Sequence, residues 1–344
     1  MKAVALTGIG QMGMTDIAKP VIENDNDVLL KVERVGVCGS DLHYYQTGRI
    51  GSLIVTFPFL IGHECSATVE ALGSAVDRVK VGDQVAVDPA APCYNCDQCK
   101  AGRENTCRNL RFLGTPGEGN GCLCEYIVMP QQCCFLPANG AVTLEQAVLC
   151  EPFAIGVYAV KRAQMPEDAK IAILGSGPIG LSCMAAARAN QARVYMTDRL
   201  DYRTEIAANA GADWVGNPDK EDIGKPILQQ QPLGIDAVFE CAGQQETLDQ
   251  AADLLKPGGK LVLIGSPRTE RISFISDKMR RKEITVVNIR RQSNCTQTAI
   301  DLIAAGKVNI DFMITHKFKP EQTKSAFDMV AGYRDGVIKA LIEF

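Results

Sequence analysis

Histidine is nearly missing from this chain. Only His43, His63 and His316 occur in 344 residues, so chemistry that needs an imidazole has few places to sit. No run of about eighteen apolar residues occurs, and no segment reads as a membrane span. Basic residues are not in excess: 36 Lys and Arg against 40 Asp and Glu leave a formal charge of -4. That balance argues against a nucleic-acid surface, where phosphates must be neutralised. The opening MKAVALTGIG reads as a strand rather than as the basic and apolar regions of a leader, so a cytoplasmic location is expected. Internal repeats and low-complexity linkers are also absent. What remains is 46% hydrophobic and 22% charged, too apolar for disorder. The length exceeds what one core usually supports, which predicts two domains.

Cysteine, by contrast, is abundant, at fourteen residues. Cys93, Cys96, Cys99 and Cys107 follow the spacing C-x2-C-x2-C-x7-C within fifteen residues. Zinc accepts four thiolates at ~2.3 Å, and intervals this short let one loop wrap the ion. The surrounding segment has neither a helical nor a strand period, so ligand bonds must supply its order. Intracellular thiols stay reduced, which favours zinc over disulfides. Four thiolates leave no open position, so this zinc is structural. Most of the other cysteines, adjacent Cys133 and Cys134 included, read as small buried apolar residues.

Residues 1 to about 150 carry short alternating runs cut by glycine, a β-rich pattern. From Ala169 the pattern becomes strand, glycine turn, helix, strand. Ile171 to Leu174 suits a buried parallel strand, and Pro178 to Asn190 a helix. A strand at Arg193 to Thr197, a helix from Asp201 to Gly211 and a strand at Ile235 to Glu240 follow. A helix near Glu246 to Leu255, a turn at Lys256 to Gly259 and a strand at Lys260 to Ile264 complete the alternation. Such alternation predicts an α/β fold with a doubly wound parallel sheet. The last fifty residues, with a helix at Thr296 to Ala305 and short strands, return to the first domain. The expected boundaries are 1–152, 153–292 for an inserted sheet domain, and 293–344.

Gly175-Ser176-Gly177-Pro178-Ile179-Gly180 follows the buried strand and opens the helix, the context a G-x-G-x-x-G dinucleotide fingerprint requires. Its backbone N–H groups can bind a pyrophosphate. Asp198, eighteen residues past Gly180, is placed to hold both ribose hydroxyls and to repel a 2′-phosphate, which favours NAD over NADP. Arg199 and Arg203 soften that preference, because an arginine accepts the phosphate instead.

Hydride transfer from an alcohol needs a group that stabilises the alkoxide, and zinc with an open position does so. Cys38 at a strand end, His63 with Glu64 after another apolar run, and Glu151 before Pro152 form a candidate set. A buried cysteine and a satisfied core histidine would give the same pattern.

The runs Gly36-Val-Cys-Gly-Ser-Asp-Leu-His43-Tyr, Gly48-Arg-Ile-Gly51, Gly62-His-Glu64, the cysteine quartet, Glu151-Pro-Phe and the glycine fingerprint together resemble the zinc-dependent medium-chain dehydrogenases. Within these the resemblance is strongest to the sorbitol (polyol) dehydrogenases, over nearly the whole chain. It implies a Rossmann domain inserted in a GroES-like β-rich catalytic domain, two zinc ions and NAD per chain, and homo-dimers or homo-tetramers. It assigns Cys38, His63 and Glu64 to the catalytic zinc, with Glu151 as a further ligand or a partner of its water. Ser40 and His43 match a proton relay. Ile179, Asp198, Arg203, Ile264, Gly265, Ser266, Asn288, Ile289 and Arg290 match cofactor contacts, beside Gly175, Gly177, Pro178 and Gly180. Tyr45, Phe112, Thr115, Glu151 and Arg290 match the substrate pocket.

Two departures matter. Several sorbitol dehydrogenases lack the quartet that this chain keeps. Arg291 stands where an aromatic is usual in the polyol enzymes, and a second guanidinium suits a carboxylate or phosphate. The expected reaction is oxidation of a polyol secondary alcohol by NAD+ to a ketose. Its rivals are a dehydrogenase of an aldonate, a sugar phosphate or L-threonine, and a non-catalytic NAD-binding zinc protein.

Overall fold

The computed structural model describes residues 1–137, 140–267 and 269–344. Two compact units emerge: Met1–Glu151 with Thr296–Gly306 and Met313–Phe344, and Pro152–Cys295 with Lys307–Phe312.

The first unit is built on a seven-stranded sheet. Its main path runs Cys134–Phe135, Gln84–Val87, Glu64–Leu72, Asp27–Gly36, Lys339–Glu343 and Ile314–Phe318, with Tyr126–Pro130 also pairing with Asp27–Gly36. β-Branched residues favour these strands, and Val28, Leu30, Val32 and Val35 are fully buried in a core shared with Leu123 and Phe327. Register places Gly36 opposite Glu64 on one side and opposite Leu341 on the other. Sequence positions 36, 64 and 341 thus meet at one end of the sheet.

Gly39–Thr47 forms a helix from this end. Cys38 is its N-cap, Asp41 closes a reciprocal capping box, and Gly48 ends it at φ 69°. A 20-residue helix spans Leu144–Ala163 with Pro152 inside it. Glu151, the last residue before the second unit begins at Pro152, lies within this helix. Ala147, Val148, Phe153, Ala154 and Ala159, all buried, surround the helix with apolar contacts that outweigh the N–H Pro152 lacks.

The second unit holds six parallel strands in the order Trp214–Gly216, Arg193–Thr197, Lys170–Leu174, Ile235–Glu240, Leu255–Leu263 and Thr285–Asn288. Counted along the unit this is 3-2-1-4-5-6, the doubly wound dinucleotide-binding order. The turn expected at Lys256–Gly259 is instead a bulge inside one strand. Ile235 pairs with Leu255 and Ala237 with Lys260, so the intervening residues loop out without ending the strand. The strands Trp214–Gly216 and Thr285–Asn288 and the helix Gly224–Gln230 carry too few apolar residues to stand out in the sequence. Among the described residues no helix is long and apolar enough to cross a membrane.

Candidate active site and metal centres

Cys38, His63 and Glu64 converge so that their ligand atoms all lie within 4.8 Å of one another. Cys38 comes from the start of the helix Gly39–Thr47, and Glu64 from the first position of its strand. Gly36 has to be glycine here, because a Cβ on it would sit 2.2 Å from a Glu64 carboxylate oxygen. Backbone approach is equally close around His63: a Cβ at Gly121 would stand 2.1 Å from the Ile61 carbonyl.

The imidazole is oriented by Asp41, a residue the sequence reading passed over. Its Oδ1 lies 3.3 Å from His63 Nδ1 and also accepts from Gly62 N, while Oδ2 accepts from Cys38 N. This leaves Nε2 facing the cluster, the usual outer-shell arrangement for a metal-binding histidine. Ser40 Oγ donates to Cys38 Sγ at 3.3 Å and stands 3.5 Å from His63 Nε2. Phe112 packs against the imidazole, with ring centroids 5.4 Å apart.

Both Glu64 oxygens accept from Lys339 Nζ, at 2.8 and 2.7 Å, and the ammonium also donates to the Val37 carbonyl. Lys339 is fully buried, and nothing in KALIE marks it as other than a strand residue. Burial alone would depress its pKa, but Glu64 and Cys38 more than offset this and hold it above the usual lysine value. Glu151 is 7% exposed and its Oε2 has no hydrogen-bond partner. Burial pushes its carboxyl up to about 8. It stands outside the 4.8 Å cluster but close enough to feel the charges of His63 and Glu64.

A thiol, an imidazole and a carboxylate at this separation, beside a buried carboxylate oxygen without a partner, fit a zinc ion with an open position. Burial works to depress the His63 pKa, yet Asp41 and Cys38 outweigh it and hold the imidazole well above its ordinary value. A metal that binds Nε2 must therefore compete with a proton for that nitrogen. Metal uptake is expected to release protons and to weaken as pH falls. Titration calorimetry in buffers of different ionisation enthalpy checks this, and uptake whose affinity does not change with pH would exclude a thiol and imidazole ligand set at this site.

The quartet fits zinc on its own geometry. Sγ separations are 3.4 Å for Cys93 and Cys107, 3.6 Å for Cys96 and Cys99, and 3.9 Å for Cys96 and Cys107. Tetrahedral thiolates at ~2.3 Å from an ion stand about 3.8 Å apart. Backbone N–H groups of Arg108 and Cys99 bring the Cys96 thiol down to about 6, whereas burial raises Cys99 to about 12.

In the second unit, Gly175 takes φ 105° and a Cβ on Gly180 would lie 1.9 Å from the Gly175 carbonyl, so turn and helix close on each other as the fingerprint requires. Gly177 is the N-cap of the helix that Pro178, Ile179 and Gly180 begin. Asp198 Oδ2 accepts from Ser176 N at 2.8 Å, and Arg203 lies 3.7 Å from the same oxygen. Glu240, 2% exposed, was overlooked in the sequence. It accepts from Ala242 N, Gly243 N and Thr247 Oγ1 and so shapes the turn against which Gly265 packs. Ile264 N donates to the Glu240 carbonyl and Ile289 N to that of Leu263; Ser266 packs on Gly243, and Asn288 and Arg290 are exposed.

The expected pocket residues divide. Thr115 is buried in the turn that closes on Gly119, close in sequence to Phe112. Tyr45 does not fit a substrate role: its hydroxyl donates to Asp328 Oδ1 at 2.6 Å and its ring meets Phe327 edge-on. Tyr44, four residues past Ser40, shares the face of the helix that Ser40 occupies, and the helical phase alone distinguishes the two tyrosines. His43, three residues past Ser40, lies on that face too and is half-buried.

The family model for the alcohol dehydrogenase GroES-like domain matches residues 24–138, and that for the zinc-binding dehydrogenase matches 178–305. The chain is 36% identical to a sorbitol dehydrogenase of Bacillus subtilis over 344 residues, covering 99% of this chain and 97% of that protein. It is 36% identical to an L-idonate 5-dehydrogenase of Vitis vinifera, covering 89% and 85%. A solved Escherichia coli oxidoreductase/dehydrogenase of unknown specificity superposes with a TM-score of 0.94 at 31% identity, covering 99% of this chain and 98% of that one.

Proposed function

The chain belongs to the zinc-dependent medium-chain dehydrogenase family, and on that premise we propose that it oxidises a secondary alcohol of a neutral polyol with NAD+ to give a ketose. It is an NAD-dependent zinc oxidoreductase. Zinc held by Cys38 and His63 with a carboxylate would supply a Lewis acid for the alcohol oxygen. Asp41 keeps His63 in the orientation that presents Nε2. Ser40 Oγ stands beside that nitrogen, where it can accept the proton of the substrate hydroxyl and pass it to His43. A dinucleotide bound at the glycine turn, with Asp198 holding its adenosine ribose, would supply the nicotinamide as hydride acceptor.

The observation that carries the polyol reading is the unpartnered Glu151 oxygen. It offers a hydrogen-bonding partner to a second hydroxyl, while Lys339 beside it is already engaged by Glu64 and so is not a free cation for a carboxylate or phosphate. Adjacent Arg290 and Arg291 favour the rival, an aldonate or sugar phosphate. A screen of polyols, aldonates and sugar phosphates with NAD+ tests the choice. Arg291→Ala should leave KM for the best polyol within about twofold; a tenfold rise, with the best turnover on an anionic sugar, would replace the polyol reading.

The four thiols gathered at Cys93, Cys96, Cys99 and Cys107 must stay reduced to hold a metal, which supports a reducing, cytoplasmic location. The parallel sheet ends on Thr285–Asn288, whose outer edge has no partner strand among the described residues, and this supports self-association as a homo-dimer or homo-tetramer.

A further inference from the structure

The residue after Asp198 is an arginine, and guanidinium forks match phosphates. Placed next to the carboxylate that would read the ribose, Arg199 ought to attract a 2′-phosphate. A neighbouring turn restrains it. Asp198 N donates to the Gly216 carbonyl, which brings residues 217–220 alongside residues 198–201. Asn217, only 7% exposed, donates from Nδ2 to the Arg199 carbonyl at 3.0 Å and to Asp201 Oδ1 at 2.8 Å. Its Oδ1 accepts from Asp219 N at 2.9 Å, which orients the Asp219 side chain. Asp219 Oδ2 then accepts from Arg199 Nε at 2.9 Å, and Lys220 Nζ ties Asp201 from the same turn. On the other side Arg203 lies 3.7 Å from Asp198 Oδ2. Each arginine that could welcome a phosphate thus faces a carboxylate.

We propose that Asp219, held by Asn217, strengthens the discrimination against a 2′-phosphate by engaging Arg199 and withdrawing it from the position of that phosphate. The inference rests on reading this unit as the dinucleotide site. Asp198 rejects the phosphate by its own charge, and Asp219 adds to that rejection by occupying the cation that would otherwise compensate it.

Binding of 2′,5′-ADP and of 5′-ADP to the full chain, measured by calorimetry at low salt, tests this without reference to any alcohol substrate. Asp219→Asn should tighten 2′,5′-ADP relative to 5′-ADP by about fivefold, the scale of one exposed ion pair. Adding Arg199→Met should abolish the gain, and 0.5 M salt should shrink it. An unchanged ratio in Asp219→Asn, or a gain that survives Arg199→Met, overturns the role of Asp219. Failure of the unaltered chain to bind 5′-ADP overturns the dinucleotide reading and the inference together, whereas failure of every polyol leaves this inference standing.

Discussion

Cys38→Ser and His63→Ala are each expected to lower turnover at least about a thousandfold, because the Lewis acid contributes several kcal/mol and each 1.36 kcal/mol is tenfold in rate. Both side chains belong to the cluster within 4.8 Å in the first unit, and the glycine turn belongs to the second. Binding of 5′-ADP and far-ultraviolet dichroism should therefore be unchanged. Zinc content should fall from two to one per chain, since the quartet is separate. Activity retained after exhaustive chelation would sink the catalytic-metal assignment. Loss of activity with both zinc ions retained would move the role of Cys38 from holding the metal to shaping the substrate's surroundings.

Lys339→Met carries the largest expected effect on stability. The substitution leaves Glu64 buried at 0% exposure with neither oxygen compensated in the metal-free protein. Breaking a buried pair in this way costs about 3–5 kcal/mol. In a unit of this size that lowers the melting temperature by roughly 10 °C. Lys339→Met with Glu64→Gln should recover most of the loss, since the cost lies in the orphaned charge rather than in the missing bond. A double variant as unstable as the single one would mean that Lys339 stabilises the fold through packing of its stem. Lys339→Arg keeps the charge, but its fork must fit a space shaped for an ammonium, so partial recovery is expected.

The two zinc candidates and the dinucleotide turn were legible in the sequence for a shared reason: each is written in short-range spacing. The quartet occupies fifteen residues, and the glycine fingerprint lies between a buried strand and an alanine-rich helix. What escaped depends on phase or on distance. Tyr44 and Tyr45 are adjacent, and only the turn of the helix Gly39–Thr47 separates a residue on the Ser40 face from one that packs on Phe327. The helix through Glu151 was hidden by Pro152, whose missing N–H is tolerated because its neighbours are buried on both sides. Asp41 caps the helix Gly39–Thr47, and the same carboxylate also orients His63, a pairing that local spacing does not reveal. Lys339 left no signal at all, since a lysine in a short strand ordinarily faces solvent.

Glu64 and Lys339 are separated by 275 positions, and the strand Lys339–Glu343 that carries the lysine pairs with Asp27–Gly36. During synthesis the first unit's sheet must therefore wait with a strand position vacant and a carboxylate unneutralised while the whole second unit leaves the ribosome. Domains generally fold in the order they are made, and here the earliest-made sheet is the last to be completed. The active-site lobe matures only once the strand Lys339–Glu343 has been added.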